Sequence, residues 1–172
     1  MKNRPVCQAL MAAAGISLLA GCATIENGRT QKVMLRSVPS GAEVVINSVP
    51  VGHTPLRIEF ERKNGYSIEL KKSGFANGYA VLLPSSRTYD KRLLKWGVDY
   101  ATGASNDLVP GDLTVSLHPS VVPTSKPLDP FSEMTANLTQ ADAMLAAGEL
   151  TPGDHRYVVA QIVEFFAPQR SN

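Results

Sequence analysis

Apolar and polar residues alternate along the chain between residues 33 and 71. Four runs show the two-residue period of strands that have one buried face and one wet face. The positions assigned to the buried face are Val33, Leu35 and Ser37, then Val44 and Ile46, then Ile58 and Phe60, and finally Tyr66, Ile68 and Leu70. Turn-forming residues separate the runs. The pattern therefore predicts a compact module of antiparallel strands.

The last third of the chain changes to the three- and four-residue spacing of amphipathic helices. Asp129 is placed to cap a helix that Gly148 ends, and Thr151 is placed to start a second helix. The apolar stripes are Phe131, Met134, Leu138, Ala141 and Leu145, then Val158, Ile162 and Phe165 or Phe166. The spacing predicts a helical hairpin over residues 129–172. Because two such short helices cannot bury their stripes alone, the hairpin packs either on the β module or on another chain.

Between the four runs and the hairpin the pattern is weaker. Leu113, Val115 and Leu117 predict a closing strand, and residues 119–128 read as a Pro/Ser-rich linker. Residues 84–118 are therefore assigned to a basic and glycine-containing connector with that strand. The cations Arg87, Lys91 and Lys95 recur every four residues, so a helix here would carry all three on one face. That face either contacts anionic lipid headgroups or is exposed to solvent.

The N-terminus has the order of a secretory signal. Lys2 and Arg4 precede an apolar stretch from Val6 to Leu19. This stretch is shorter than the roughly 20 residues that a membrane-spanning helix needs. We therefore expect residues 1–21 to be a cleaved signal peptide.

The residues at the end of this signal are Leu19, Ala20, Gly21 and Cys22. They resemble the lipobox of bacterial lipoproteins. The resemblance implies cleavage after Gly21 and diacylglycerol on Cys22, with residues 22–32 as a lipidated tether. Ala23, in place of aspartate, implies an outer-membrane protein that faces the periplasm. The alternative is an unlipidated signal with a chance cysteine.

Cysteine content and charge exclude several classes. Cys7 would leave with the signal and Cys22 would be a thioether, so neither a disulfide nor a cysteine metal site is expected. Removing Lys2 and Arg4 leaves 15 basic residues against 15 acidic ones. A nucleic-acid partner is therefore not expected, because no excess positive charge remains.

A series of turn and core residues follows a known order. It comprises Ser37, Pro39, Gly41, Ala42, Val44, Ile46, Asn47, Gly52, Thr54, Pro55, Leu56 and Gly74. The series resembles the PEGA domain over residues 33–83. This resemblance implies a small antiparallel β-sandwich of envelope proteins, with Pro39, Gly41, Ala42, Gly52, Thr54, Pro55 and Gly74 as structural motif residues, and it implies no particular activity.

Three residues depart from the family pattern: Ser40, Ser48 and Phe75. Ser48 follows Asn47 where the family has glycine, and a type I′ turn needs positive φ at both positions. A different turn therefore stays possible here. The glycines could in principle mark close approach of a ligand, but their places between alternating runs favour turns.

No catalytic pattern is found. His53, His118 and His155 fall in different predicted elements without metal-ligand spacing, and no nucleophile or phosphate-loop motif is present. We expect a non-enzymatic protein without metal or cofactor. A glycan binder would need exposed aromatic residues, for which the candidates are Tyr66, Tyr79, Tyr89 and Trp96.

The predicted fold class is α+β, a small antiparallel β-sandwich with a C-terminal helical hairpin. Residues 145–151, which lead into the second helix, loosely resemble short C-terminal helical modules of the SHOCT type, which implies assembly with another protein. The function predicted is a lipid-anchored, non-catalytic binding or scaffolding module that contacts the membrane through its lipid. A peptidoglycan- or carbohydrate-binding lipoprotein and an accessory subunit of a secretion or transport complex stay open as alternatives.

Overall fold

The computed structural model describes residues 28–86, 103–125 and 127–167. Within these ranges the chain forms two sheets and two helices. The strands are β1 (Thr30–Val38), β2 (Glu43–Ile46), β3 (Val49–His53), β4 (Leu56–Glu61), β5 (Tyr66–Lys71), β6 (Gly78–Ser86), β7 (Asn106–Val109) and β8 (Leu113–Ser116). The helices are α1 (Pro130–Ala146) and α2 (Pro152–Phe166). The predicted α+β class, with a β-sandwich followed by a helical hairpin, is confirmed.

The strands are ordered β4-β1-β8 in one sheet and β3-β2-β5-β6-β7 in the other. In the second sheet β2 runs antiparallel to both β3 and β5, and β6 runs antiparallel to β7. One pairing differs from the all-antiparallel expectation, since β1 and β8 are parallel and Leu35 lies opposite Leu113. A parallel pair needs a long connection, and here the chain between Val38 and Leu113 provides it.

The described residues divide into two compact units. One comprises residues 28–33, 58–65, 82–86 and 103–111, and the other comprises residues 34–57, 66–81, 112–125 and 127–167. The smaller unit buries Val33, Phe60, Ala104, Leu82 and Leu108. The larger unit buries apolar residues of both its strands and its helices: Leu35, Val44, Ile68, Leu70, Leu117, Ala141, Val158 and Ile162.

A charged side chain, Arg62, is also buried in the smaller unit at 8% exposure. Its guanidinium donates to the Thr30 carbonyl at 3.0 Å and to Gln31 Oε1 at 2.9 Å, and it pairs with Asp107 at 2.5 Å. Gln31 in turn accepts a hydrogen bond from the Leu108 N–H at 2.9 Å. Burial of this charge is tolerated because its donors are satisfied.

Three strands were absent from the sequence prediction. Pro50 and Gly52 lie in β3, although their residue types favour a turn, whereas β6 and β7 lie in stretches without clear alternation. Pro50 is tolerated because β3 is an edge strand. The Asn47–Ser48 turn keeps positive φ at both residues, 48° and 69°, so Ser48 adopts the strained conformation and no other turn replaces it.

Two segment limits also differ from the predicted ones. β1 begins at Thr30, inside the stretch assigned to the tether. In the predicted linker, Pro119 bridges to Phe75, and Val121 and Val122 are buried. These apolar residues pack because they follow directly on β8.

Both helices begin where the capping signals predict. The Asp129 side chain accepts a hydrogen bond from the Ser132 N–H at 3.3 Å, and Thr151 accepts one from the Asp154 N–H at 3.1 Å. Beyond Ala147, the C-cap of α1, Gly148 has φ 75°. Phe131 is the exception to the predicted stripe: it lies in the first turn at the stripe's edge and is 77% exposed.

The hairpin packs on the β module, one of the two arrangements that the sequence left open. Leu150 is 3% exposed and lies over Gly74, and the rings of Phe75 and Tyr157 are 6.1 Å apart between centroids. Lys72, just after β5, forms an ion pair of 3.1 Å with Asp154 in the first turn of α2. Apolar contacts and a largely buried ion pair therefore join the two elements.

Candidate functional site

The residues best suited to contact a ligand lie on the outer face of β5 and β6. The alternation of β5 directs Ile68 and Leu70 into the core and leaves Glu69 and Lys71 outside. On β6, Tyr79 is 71% exposed. Glu69, Lys71, Asn77, Tyr79 and Val81 are called the Tyr79 face below.

Hydrogen bonds organise the Tyr79 face around one carboxylate. Glu69 Oε1 accepts from Asn77 Nδ2 at 2.9 Å and from the Tyr79 hydroxyl at 3.1 Å, while Glu69 Oε2 lies 3.1 Å from Lys71 Nζ. The hydrogen bond from Lys71 lowers the pKa of Glu69 below its ordinary value, with further lowering from Tyr79 and Asn77 outweighing the desolvation that would raise it. The carboxylate is thus ionised near neutral pH.

A recess of about 240 Å³ lies beside this carboxylate. Its walls include Glu69, Tyr79 and Val81, together with Val45 of β2, which is only 8% exposed. The recess thus has apolar and aromatic walls with a carboxylate at one side. This combination is typical of sites that bind small polar ligands with an apolar face.

A larger and more open groove, of about 530 Å³, adjoins Lys71 and Asn77. Its lining also contains the Lys72–Asp154 pair, whose side chains are only 13% and 10% exposed. Lys72 Nζ additionally donates to the Ser40 carbonyl at 2.8 Å. Because Lys72 is already paired, its charge serves to join the hairpin to the sheet.

The predicted motif residues form a joint at one end of the module. The Thr54 hydroxyl accepts from the Ala42 N–H at 3.0 Å and contacts Ser37 Oγ at 2.5 Å, and Ser37 Oγ donates to the Pro39 carbonyl at 2.6 Å. The Gly41 N–H donates to the Thr54 carbonyl at 2.9 Å. Thr54 is 4% exposed, so these residues are placed to hold the chain and not to meet a ligand.

Of the remaining motif residues, Gly74 lies in a turn and Pro55 on the surface, whereas Gly52 lies within β3 and not in the predicted turn. Gly74 and Gly52 have φ of 79° and 148°, and Pro55 is exposed directly before β4. The lipobox residues Leu19, Ala20, Gly21 and Cys22 lie outside the described residues. So do two of the aromatic candidates, Tyr89 and Trp96. Of the other two, Tyr66 is half-buried and Tyr79 is exposed.

The histidines do not converge on a metal centre. His155 Nε2 lies 2.8 Å from Asp142 Oδ1, a pairing of α2 with α1, whereas His118 contacts the Val122 carbonyl at 3.0 Å. In the ranges that the structure describes, no three His, Cys, Asp or Glu residues are grouped as metal ligands would be. Neither α1 nor α2 has the length and hydropathy needed to cross a bilayer.

The comparison with protein families decides the nature of the β module. Residues 30–88 match the family model described as PEGA domain. The chain contains a PEGA domain. Its match starts at the first residue of β1 and extends past β6, so it is wider at both ends than the resemblance seen in the sequence. A search of curated proteins and a search of solved structures each gave no match.

Glu69, Lys71 and Asn77 escaped the sequence analysis as site residues. Glu69 and Lys71 stood out only as the wet positions of an alternating strand. Asn77 lies just before β6, which was not predicted at all. The one available signal was Tyr79, an aromatic residue of the PEGA domain without a place in its apolar pattern.

Proposed function

We propose that the protein is a non-catalytic binding module of the bacterial cell envelope, held to the outer membrane by lipid on Cys22 and facing the periplasm. The observation that carries the anchoring is the order Leu19, Ala20, Gly21, Cys22 directly after an apolar segment. The PEGA domain supports a binding role, and the exposed Tyr79 face offers a surface for it.

The anchor would hold the domain close to the bilayer. Residues 23–29 separate Cys22 from the start of β1. Seven extended residues span at most about 25 Å. A module on so short a tether samples ligands near the membrane surface and reaches no further.

Replacement of the lipidated residue tests this proposal. We expect Cys22→Ser to abolish the mass of the diacylglyceryl group and to leave the protein unprocessed, whereas the wild type carries the lipid and sediments with outer membranes. Two or more acyl chains give stable anchoring. The matched control is Cys7→Ser, which removes the chain's other cysteine from within the predicted signal. Normal processing and membrane sedimentation of Cys22→Ser would refute the proposal.

A second candidate, an accessory subunit of an envelope complex, is favoured by the outer side of α1. Phe131 is 77% exposed there, beside the small side chains of Thr135, Ala136 and Thr139. In this role the hairpin would dock a partner. Cross-linking in intact cells followed by mass spectrometry tests it: a partner cross-linked near α1 and lost in Phe131→Glu supports docking, and an unchanged set of cross-links counts against it.

A further inference from the structure

We propose that the Tyr79 face binds the sugar rings of an envelope glycan. This inference rests on the proposed function, since an anchored periplasmic module meets such glycans. It adds a ligand class and a binding site to that function.

The first step of the argument is the aromatic ring. At 71% exposure, Tyr79 is among the most exposed large residues of the described chain, and its hydroxyl is held 3.1 Å from Glu69. The hydrogen bond restrains the ring while leaving its surface open. Restrained tyrosine rings give contact area at low entropic cost, and a pyranose offers the complementary C–H face.

The second step is the polar set beside the ring. A sugar hydroxyl both donates and accepts, so its site needs both kinds of group at close spacing. Glu69 supplies an ionised acceptor, Lys71 an ammonium donor, and Asn77 an amide with a donor and an acceptor. The hydrogen bonds among them, 2.9 to 3.1 Å long, hold all three in place before a ligand arrives.

The third step is size. The recess of about 240 Å³ is smaller than the roughly 300–1,000 Å³ of pockets that enclose drug-sized ligands. It therefore suits one ring of a longer chain. Lys71 and Asn77, which both pair with Glu69 of the recess, line the neighbouring groove of about 530 Å³, so a second ring has space there. The ligand expected is an oligosaccharide.

The carboxylate argues against polyanions. In the face and the adjoining groove, carboxylates outnumber ammonium groups: Glu43, Glu69, Glu149 and Asp154 stand against Lys71 and Lys72. Phosphate-rich ligands would be repelled by these charges. Neutral or N-acetylated sugars fit the face better.

Titration calorimetry with chitotetraose tests the inference on the full-length protein purified in detergent. We expect the N-acetylated tetrasaccharide to bind more tightly than the corresponding disaccharide, N-acetylated chitobiose. Tyr79→Ala should lower the affinity for the tetrasaccharide about tenfold. Glu69→Gln should also weaken binding. The control is Val163→Ala, which shortens an exposed apolar side chain on α2, outside the Tyr79 face and the adjoining groove, and should leave affinity unchanged.

Sedimentation with purified sacculi identifies the source of the glycan. Retention that Tyr79→Ala abolishes supports peptidoglycan, and binding of chitotetraose without retention supports another envelope glycan. Absence of binding to both, or retention that Tyr79→Ala leaves intact, overturns the inference. The same titration can be made on Cys22→Ser, which lacks the lipidated residue. Sugar binding and membrane anchoring are thus tested by separate measurements, so failure of one proposal can be distinguished from failure of the other.

Discussion

Gly74 lies where the hairpin packs against the PEGA domain, and its replacement by alanine tests how the two are joined. An alanine Cβ here would lie 2.4 Å from Leu150 Cδ2 and 3.1 Å from Met144 Cε. Gly74 also has φ +79°. The substitution therefore adds a steric overlap to a left-handed backbone that disfavours side chains.

Gly148 provides a control with nearly the same backbone. Its φ is +75°, but no heavy atom lies within 4 Å of the position that an alanine Cβ would take. The left-handed conformation costs alanine about 1 kcal/mol at either position. Overpacking adds about 1–2 kcal/mol at Gly74 only. This cost is at the lower end of the usual range because the atoms that must move are the ends of side chains. It is not zero, because Leu150 is buried and has little room to move.

We therefore expect Gly74→Ala to lower the free energy of unfolding by about 2–3 kcal/mol and Gly148→Ala by about 1 kcal/mol. Urea unfolding followed by circular dichroism measures both. In a Leu150→Val background the methyl group with the worst overlap is absent, so the excess at Gly74 should fall, while the tighter contact with Met144 Cε at 3.1 Å remains. Equal losses for the two alanine variants would refute the close packing of hairpin and domain.

Three further outcomes are expected. Ser48→Gly should raise the free energy of unfolding by about 0.5–1 kcal/mol, because glycine adopts the positive φ of this turn without strain. The control Ser73→Gly, at a residue without positive φ, should lower the free energy of unfolding. Equal effects of the two substitutions in urea unfolding would contradict this reasoning. Lys72→Met should lower the free energy of unfolding by about 2–3 kcal/mol, because the Asp154 carboxylate stays buried without its cation. Surface substitutions usually change this free energy by less than about 0.5 kcal/mol. A loss that small would contradict burial of the pair. Because folding lowers the pKa of Glu69, this carboxylate stabilises the protein at pH values above its ordinary pKa, and the contribution is lost as pH falls through the folded-state pKa. Carbon NMR should place the pKa of Glu69 below its ordinary value, and Lys71→Met should raise that pKa.

The elements predicted correctly are those whose signal is local. Val33 and Leu35 alternate, and Asp129 and Thr151 carry capping side chains, so β1, α1 and α2 begin within three residues of their predicted positions. β3, β6 and β7 were missed because strand formation there depends on neighbouring strands. Pro50 in β3, for example, is acceptable only at an edge, and sequence cannot tell which strand is the edge.

The candidate site shows the same division. The residue type of Tyr79 marks it as a candidate in the sequence. Asn77 and Tyr79 can donate hydrogen bonds to the Glu69 carboxylate, however, only because β6 lies next to β5. In sequence Glu69 and Tyr79 are separated by a turn and give no shared pattern.

The sequence by itself determined the alternating strands and the capped helices, since each is encoded by residues close together along the chain. Tertiary structure alone decided the parallel pairing of β1 with β8, the docking of Leu150 over Gly74 and the grouping of donors around Glu69. These features join residues that are distant in sequence, and their energy depends on distances that only the folded chain sets.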